Sequence, residues 1–149
     1  MKRLELPLYV AVIAVLSALI FFDGRKAAAL EAQRPVTPKQ LYQLLSTPKL
    51  KVQVVDLRPH DDDHFIDAHI PGAISMPGCA IDEQPNAYPY VLTVIVTAEG
   101  DTAAYEACGK HFAAARNLAG GMAAWSDANL PEDVGEYRPP KPSASGGCL

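Results

Sequence analysis

The chain has 149 residues, 49% of them hydrophobic and 20% charged, and a formal net charge of -4. That length holds one compact α/β core but hardly two. The mild acidity, with no Lys/Arg run beyond short pairs, leaves no electrostatic footprint for nucleic acid and excludes it as a partner.

Leu6 to Phe22, LPLYVAVIAVLSALIFF, is an apolar run that would measure about 26 Å as a helix, enough to just span a bilayer. Lys2 and Arg3 precede it, so the expected topology is a cytoplasmic amino terminus and an exported domain. Arg25 and Lys26 blunt that asymmetry, and Ala27 to Ala29 keep a cleaved signal peptide open as an alternative. The expectation is a single-pass protein of a bacterial inner membrane with its domain on the periplasmic side. Residues 1–26 form the anchor or uncleaved signal and 27–35 a linker.

Thr37-Pro38 is a helix start, threonine able to cap and proline at the first helical position. Leu41, Leu44 and Leu45 supply the apolar face, and the helix should end between Ser46 and Lys49. Val52 to Leu57 is valine-rich and alternates poorly, as a parallel strand covered on both sides does. Ala73 to Met76, Val91 to Thr97 and Arg116 to Leu118 read as further strands. Helices are expected from Thr102 to about Ala113 and from Gly121 to Ala128. Proline, glycine and serine dominate beyond Pro131, so 132–149 reads as a tail, disordered from Pro139.

Val94 to Ala104, VIVTAEGDTAA, reads as a buried strand, a glycine turn and a first helical turn, a geometry that presents backbone N–H groups to an anion. Around it, VVDLR (54–58), AHIPGAISMP (68–77) and NLAGGMAAW (117–125), followed by Leu130-Pro131, resemble the rhodanese family over about Val36 to Pro131. The resemblance implies a small parallel sheet flanked by helices, an α/β fold in residues 36–131. It also implies a loop that, in active members, begins with a persulfide-forming cysteine. On this chain the six loop positions are Thr97, Ala98, Glu99, Gly100, Asp101 and Thr102. Glycine and the last threonine match, so the cradle is expected to persist; the cysteine does not. Threonine keeps its proton unless a base removes it and cannot carry a persulfide. Glu99 and Asp101 would also oppose an anionic sulfur donor. Asp56 and Arg58 match the family's Asp-x-Arg pair and are expected as a structural ion pair beside the loop. Ala68 stands where the family usually has glycine, and His64 where an acidic residue precedes the aromatic.

His60 to His69, HDDDHFIDAH, alternates histidine and carboxylate but fits no standard ligand spacing, so no metal site is expected, and no cofactor is implied. Of the three cysteines, Cys108 lies deep enough in its helix to point away from the cradle and reads as core. Cys148, in a Gly-Gly-Cys-Leu ending, is free to pair with Cys79, with Cys108 or with a partner, and three cysteines leave at least one unpaired within a monomer. Two functions stand against each other. The leading one is a catalytically silent, membrane-anchored pseudoenzyme that binds a protein partner or anion, as an accessory subunit of a membrane complex. The alternative is a sulfurtransferase or thiol enzyme using Cys148 or Cys108.

Overall fold

The computed structural model describes residues 9–17, 34–61, 66–84, 86–136 and 138. The chain divides into two units, Met1–Arg34 and Pro35–Leu149.

In the first unit, helix α1 covers residues 9–17 and exposes Tyr9, Val10, Val12, Ile13, Val15 and Leu16. Among the described residues no helix is long and apolar enough to cross a membrane. The expected bilayer span over Leu6 to Phe22 is therefore corrected, and with it the membrane partner and the inner-membrane, periplasmic placement. The rest of that run, the linker up to residue 33 and the tail from Pro139 lie outside the described residues.

The second unit begins with helix α2 (Pro38–Leu45), whose start is a full capping box. The Gln40 N–H donates to Thr37 Oγ1 while the Thr37 N–H donates to Gln40 Oε1, so two amides without helical partners are satisfied at once. The helix stops one residue before its expected range. There the Ser46 and Thr47 hydroxyls donate to the carbonyls of Tyr42 and Gln43, four residues back. Strands β1 (Val52–Asp56), β2 (Ile74–Ser75), β3 (Leu92–Val96) and β4 (Ala115–Asn117) form one parallel sheet in the order β2-β1-β3-β4.

The valine-rich strands are buried on both faces, which explains why they do not alternate. Val54, Val94 and Val96 join Val36, Leu41, Leu118, Met122 and Trp125 in one core; Val55, Ile74 and Ile95 join Met76, Cys108 and Phe112 in another. Helix α3 (Thr102–Gly109) belongs to the second core and helix α4 (Gly121–Asp127) to the first. Trp125 is anchored twice: its Nε1–H donates to the Pro131 carbonyl at 2.9 Å, and its ring meets Tyr42 edge-on at 6.5 Å.

Helix α3 ends four residues before the expected Ala113. Two tight turns follow, His111 N–H to the Cys108 carbonyl and Phe112 N–H to that of Gly109, and they bury Phe112. The Ala113 N–H then reaches the Pro89 carbonyl at 2.7 Å, which aligns the chain for β4. A continued helix would have kept both Phe112 and β4 from their neighbours.

Candidate functional site

The parallel strands all deliver their carboxyl ends to one edge of the sheet, the edge at which open α/β folds hold their ligands. From β3, Thr97 enters a loop closed by its own polar atoms. Thr97 is 6% exposed, and its Oγ1 accepts the Asp101 N–H at 2.7 Å. Asp101 caps α3, its Oδ1 accepting the N–H groups of Ala103 at 2.7 Å and Ala104 at 3.2 Å. Three amides that would face an anion at this helix start are thus occupied by oxygens of the chain itself. The signal was present in sequence, since an aspartate immediately before an alanine-rich helix start is a preferred cap. It competes there with a reading of Asp101 as one of two carboxylates repelling a donor. Glu99 is exposed.

The other side of the loop is bolted to α4. Met122 and Ala123 donate their N–H groups to the carbonyls of Thr97 and Ala98, at 2.9 and 3.0 Å. This approach is close enough to require glycine at two points. Gly100 holds a φ of +84°, and a Cβ there would lie 2.8 Å from the Gly120 nitrogen. Gly121, at φ +59°, has no room for a Cβ at all against the Thr97 carbonyl. Beneath the loop, Asn117 Nδ2 donates to the Gly100 carbonyl at 3.0 Å, and Asn117 Oδ1 is buried with no hydrogen-bond partner.

On the neighbouring strand, β1 ends with Asp56, opposite Val96 in register. Asp56 is fully buried and pairs with Arg58, 8% exposed, through Nη2 to Oδ2 at 2.7 Å and Nε to both oxygens. Arg58 Nη2 also donates to the Ala68 carbonyl at 2.7 Å, tying the 68–73 segment to the sheet. His60 Nδ1 lies 3.2 Å from Ser75 Oγ at the same edge. Among the described residues no group of three or more His, Cys, Asp or Glu is arranged to hold a metal ion; residues 62–65 of the histidine and carboxylate stretch lie outside them.

No cysteine stands in the loop. Cys79 lies instead one strand beyond β1, where β2 runs into a short 3-10 turn, Pro77–Cys79. Cys79 and Cys108 form a disulfide with a Cα–Cα distance of 5.6 Å. Cys108 is wholly buried in the second core, whereas Cys79 is only partly buried and holds a φ of +62°. Cys108 is therefore placed away from the loop and joined to a partner. Sequence left that pairing open, because 29 residues separate the two and only the sheet order brings β2's exit against α3. Cys148 lies outside the described residues.

The sequence model of the rhodanese-like domain matches residues 37–128, well over half of the chain. The chain belongs to the rhodanese-like domain family. Solved structures agree. A rhodanese-like domain protein from Staphylococcus aureus is 28% identical with a TM-score of 0.55, covering 68% of this chain and 98% of its own. A protein from Bacillus halodurans is 19% identical with a TM-score of 0.60, covering 75% and 85%. Thiosulfate sulfurtransferase from Pseudomonas aeruginosa is 22% identical with a TM-score of 0.56, matching 70% of this chain but 20% of its own longer one. No curated protein matches this chain. The expected reading as a silent, membrane-anchored accessory module is corrected here: no described helix crosses a membrane, and the fold is one that a named sulfurtransferase also uses.

Proposed function

We propose that this rhodanese-like domain is a thiol–disulfide exchange protein whose chemistry resides in Cys79 and Cys108 rather than in the loop. The observation that carries the reading is the asymmetry of the disulfide. Cys79 is partly exposed, in a turn leaving the carboxyl edge of the sheet, while Cys108 is buried at 0% exposure. Cys79 is the less buried end of the bond and so the favoured point of attack for an incoming thiolate, and which sulfur is attacked decides the course of an exchange. The left-handed backbone of Cys79 costs an L-residue about 1–2 kcal/mol, held in place by the bond to α3.

The chemistry balances with a dithiol substrate. Its first thiolate attacks Cys79 Sγ, forming a mixed disulfide and breaking the Cys79–Cys108 bond; the Cys108 sulfur leaves as thiolate and takes a proton. The second substrate thiolate then attacks the substrate's own sulfur in the mixed disulfide and releases Cys79. The substrate is oxidised to a disulfide, and the cysteine pair is reduced to two thiols. A second, more oxidising disulfide reverses the same two steps and restores the bond. Loop-cysteine sulfur transfer has no place in this scheme, since Thr97 has no sulfur and spends its hydroxyl as the acceptor for Asp101.

The test is native-state reduction. In graded mixtures of reduced and oxidised dithiothreitol, the folded protein should lose and regain the disulfide reversibly, with the core Trp125 fluorescence retained throughout. In reduced and oxidised glutathione, of the two bonded cysteines the trapped adduct should lie on Cys79 and not on Cys108. A disulfide that opens only when Trp125 is exposed by denaturant would make the pair a structural cross-link and overturn the proposal.

A further inference from the structure

We infer that the second unit carries a docking groove for an extended peptide at the amino end of β1, and that the peptide it fits is apolar with a carboxylate placed toward Lys51. The inference goes beyond the exchange reading and does not depend on it.

The groove begins as a gap in the sheet. β1 runs from Val52 to Asp56 and pairs with β3 along that whole length, whereas β2 pairs only with Val55 and Asp56. In a parallel strand the N–H and C=O of alternate residues face the same neighbour. The Leu57 N–H donates to the Val96 carbonyl on the β3 side, and the Asp56 carbonyl accepts the Met76 N–H on the other. Counting back from Asp56 by twos, the Val52 N–H and C=O face the β2 side, where no described strand lies beside them. A cavity of about 500 Å³ opens there, its lining including Leu50, Lys51, Val52, Ile74, Tyr88 and Val91. Its Tyr88 wall is fixed, since Gln53 Oε1 accepts the Tyr88 N–H at 2.9 Å and Gln53 Nε2 donates to the Tyr88 carbonyl at 2.8 Å.

An open strand edge asks for a donor and an acceptor repeating every second residue, which an extended peptide backbone supplies. The side chains around it set the class of peptide. Leu50 and Tyr88 line the groove yet are 47% and 57% exposed, and Tyr90, next to the lining Val91, is 90% exposed. Among the described residues of the second unit these are three of the six large apolar side chains left so exposed, so apolar surface is gathered at this groove and is matched by apolar side chains. Lys51 is the only charged residue lining it, so a carboxylate on the peptide finds its counter-charge here and a basic side chain finds none. A second copy of the chain is the poorer occupant. Its β2 is buried, and the outward side of its β4 is taken by Val36 and by the Tyr105 hydroxyl. Among the described residues it therefore has only the same gap to offer, and would bring a second Lys51 to one groove.

The experiment titrates the full-length, isotope-labelled protein with the end-blocked hexapeptide Asp-Val-Thr-Val-Thr-Val and follows the backbone amide signals by NMR. Saturable shifts are expected at Val52 and Val54. N-methylation of the peptide's valines removes its donors and should weaken binding about tenfold, the order of one or two hydrogen bonds. Lys51→Glu should weaken it about threefold, as for an exposed charge pair. Val52→Pro removes the outward N–H at the first residue of a strand, where proline is tolerated and no bond to β3 is lost, and should weaken binding about tenfold. Should that variant fail to fold, the N-methylated peptide tests the same edge on the wild-type protein. No shifts at millimolar peptide, shifts confined to other regions, or equal affinity for the N-methylated peptide would overturn the inference. Self-association of the free protein, with the Val52 and Val54 amides moving on dilution, would make a second copy the occupant and overturn it equally.

Discussion

Two turns leave the same edge of the sheet and have opposite characters. The 97–102 loop is closed: a threonine hydroxyl and an aspartate carboxylate satisfy its amides, and two α4 N–H groups hold its carbonyls. The Pro77–Cys79 turn is instead tied to α3 by a covalent bond, at a partly exposed cysteine with a left-handed backbone. The difference teaches that the shape of a reactive loop and its reactivity are separable. The first turn has a ring of satisfied amides without a sulfur, and the second carries the sulfur without such amides.

The sharpest way to break the comparison is at Gly121. Substitution by alanine forces a Cβ into the Thr97 carbonyl from a left-handed backbone, so Gly121→Ala should cost more than about 3 kcal/mol. Urea unfolding should show the loss, and an unchanged midpoint would mean that α4 does not bolt the loop. At the other turn, Cys79→Ser removes the cross-link. The closed segment spans 29 residues, for which the loss of unfolded-state restraint predicts about 3–4 kcal/mol. A matched comparison with the reduced wild-type protein should give the same midpoint; a lower one for the variant would point to the serine hydroxyl rather than to the missing bond.

Smaller effects distinguish the two turns by function. Asp101→Ala strips the cap from Ala103 and Ala104 and should cost about 1 kcal/mol. It should also open the amides, so that sulfate or thiosulfate raises the Tm of the variant and leaves that of the wild type in place. Equal stabilisation of both would show that the carboxylate does not occupy the cradle. The smallest expected change is in activity: Thr97→Cys alone should yield no thiosulfate-to-cyanide turnover, because the Asp101 carboxylate stays beside the new thiol. Turnover by that single variant, measured as thiocyanate release, would show that the closed loop still admits the donor.

Much of this architecture was legible in the order of residues. Thr37-Pro38 with Gln40 is a local capping signal, and valine runs at β1 and β3 describe strands covered on both faces whatever covers them. The motifs around Asp56, Ile70 and Gly120 placed the loop and its empty nucleophile position, because those features depend on a few adjacent residues. The Leu6 to Phe22 run shows the limit of such reasoning: hydropathy registers how apolar a segment is, while a span also requires a long continuous helix, and among the described residues no helix is long and apolar enough to cross a membrane.

Tertiary structure alone decided which oxygen fills which amide and which cysteine meets which. Thr97 and Asp101 are four residues apart, yet whether the hydroxyl points into the turn depends on α4 pressing Gly121 against the loop from a distant stretch of chain. Cys79 and Cys108 meet because the order β2-β1-β3-β4 sets β2's exit and α3 against one core, a juxtaposition with no periodicity to betray it. Local propensities and patterns are written in neighbouring residues, whereas the reactivity of a sulfur depends on its burial and its bonding partner, and both are settled by segments that only folding brings together.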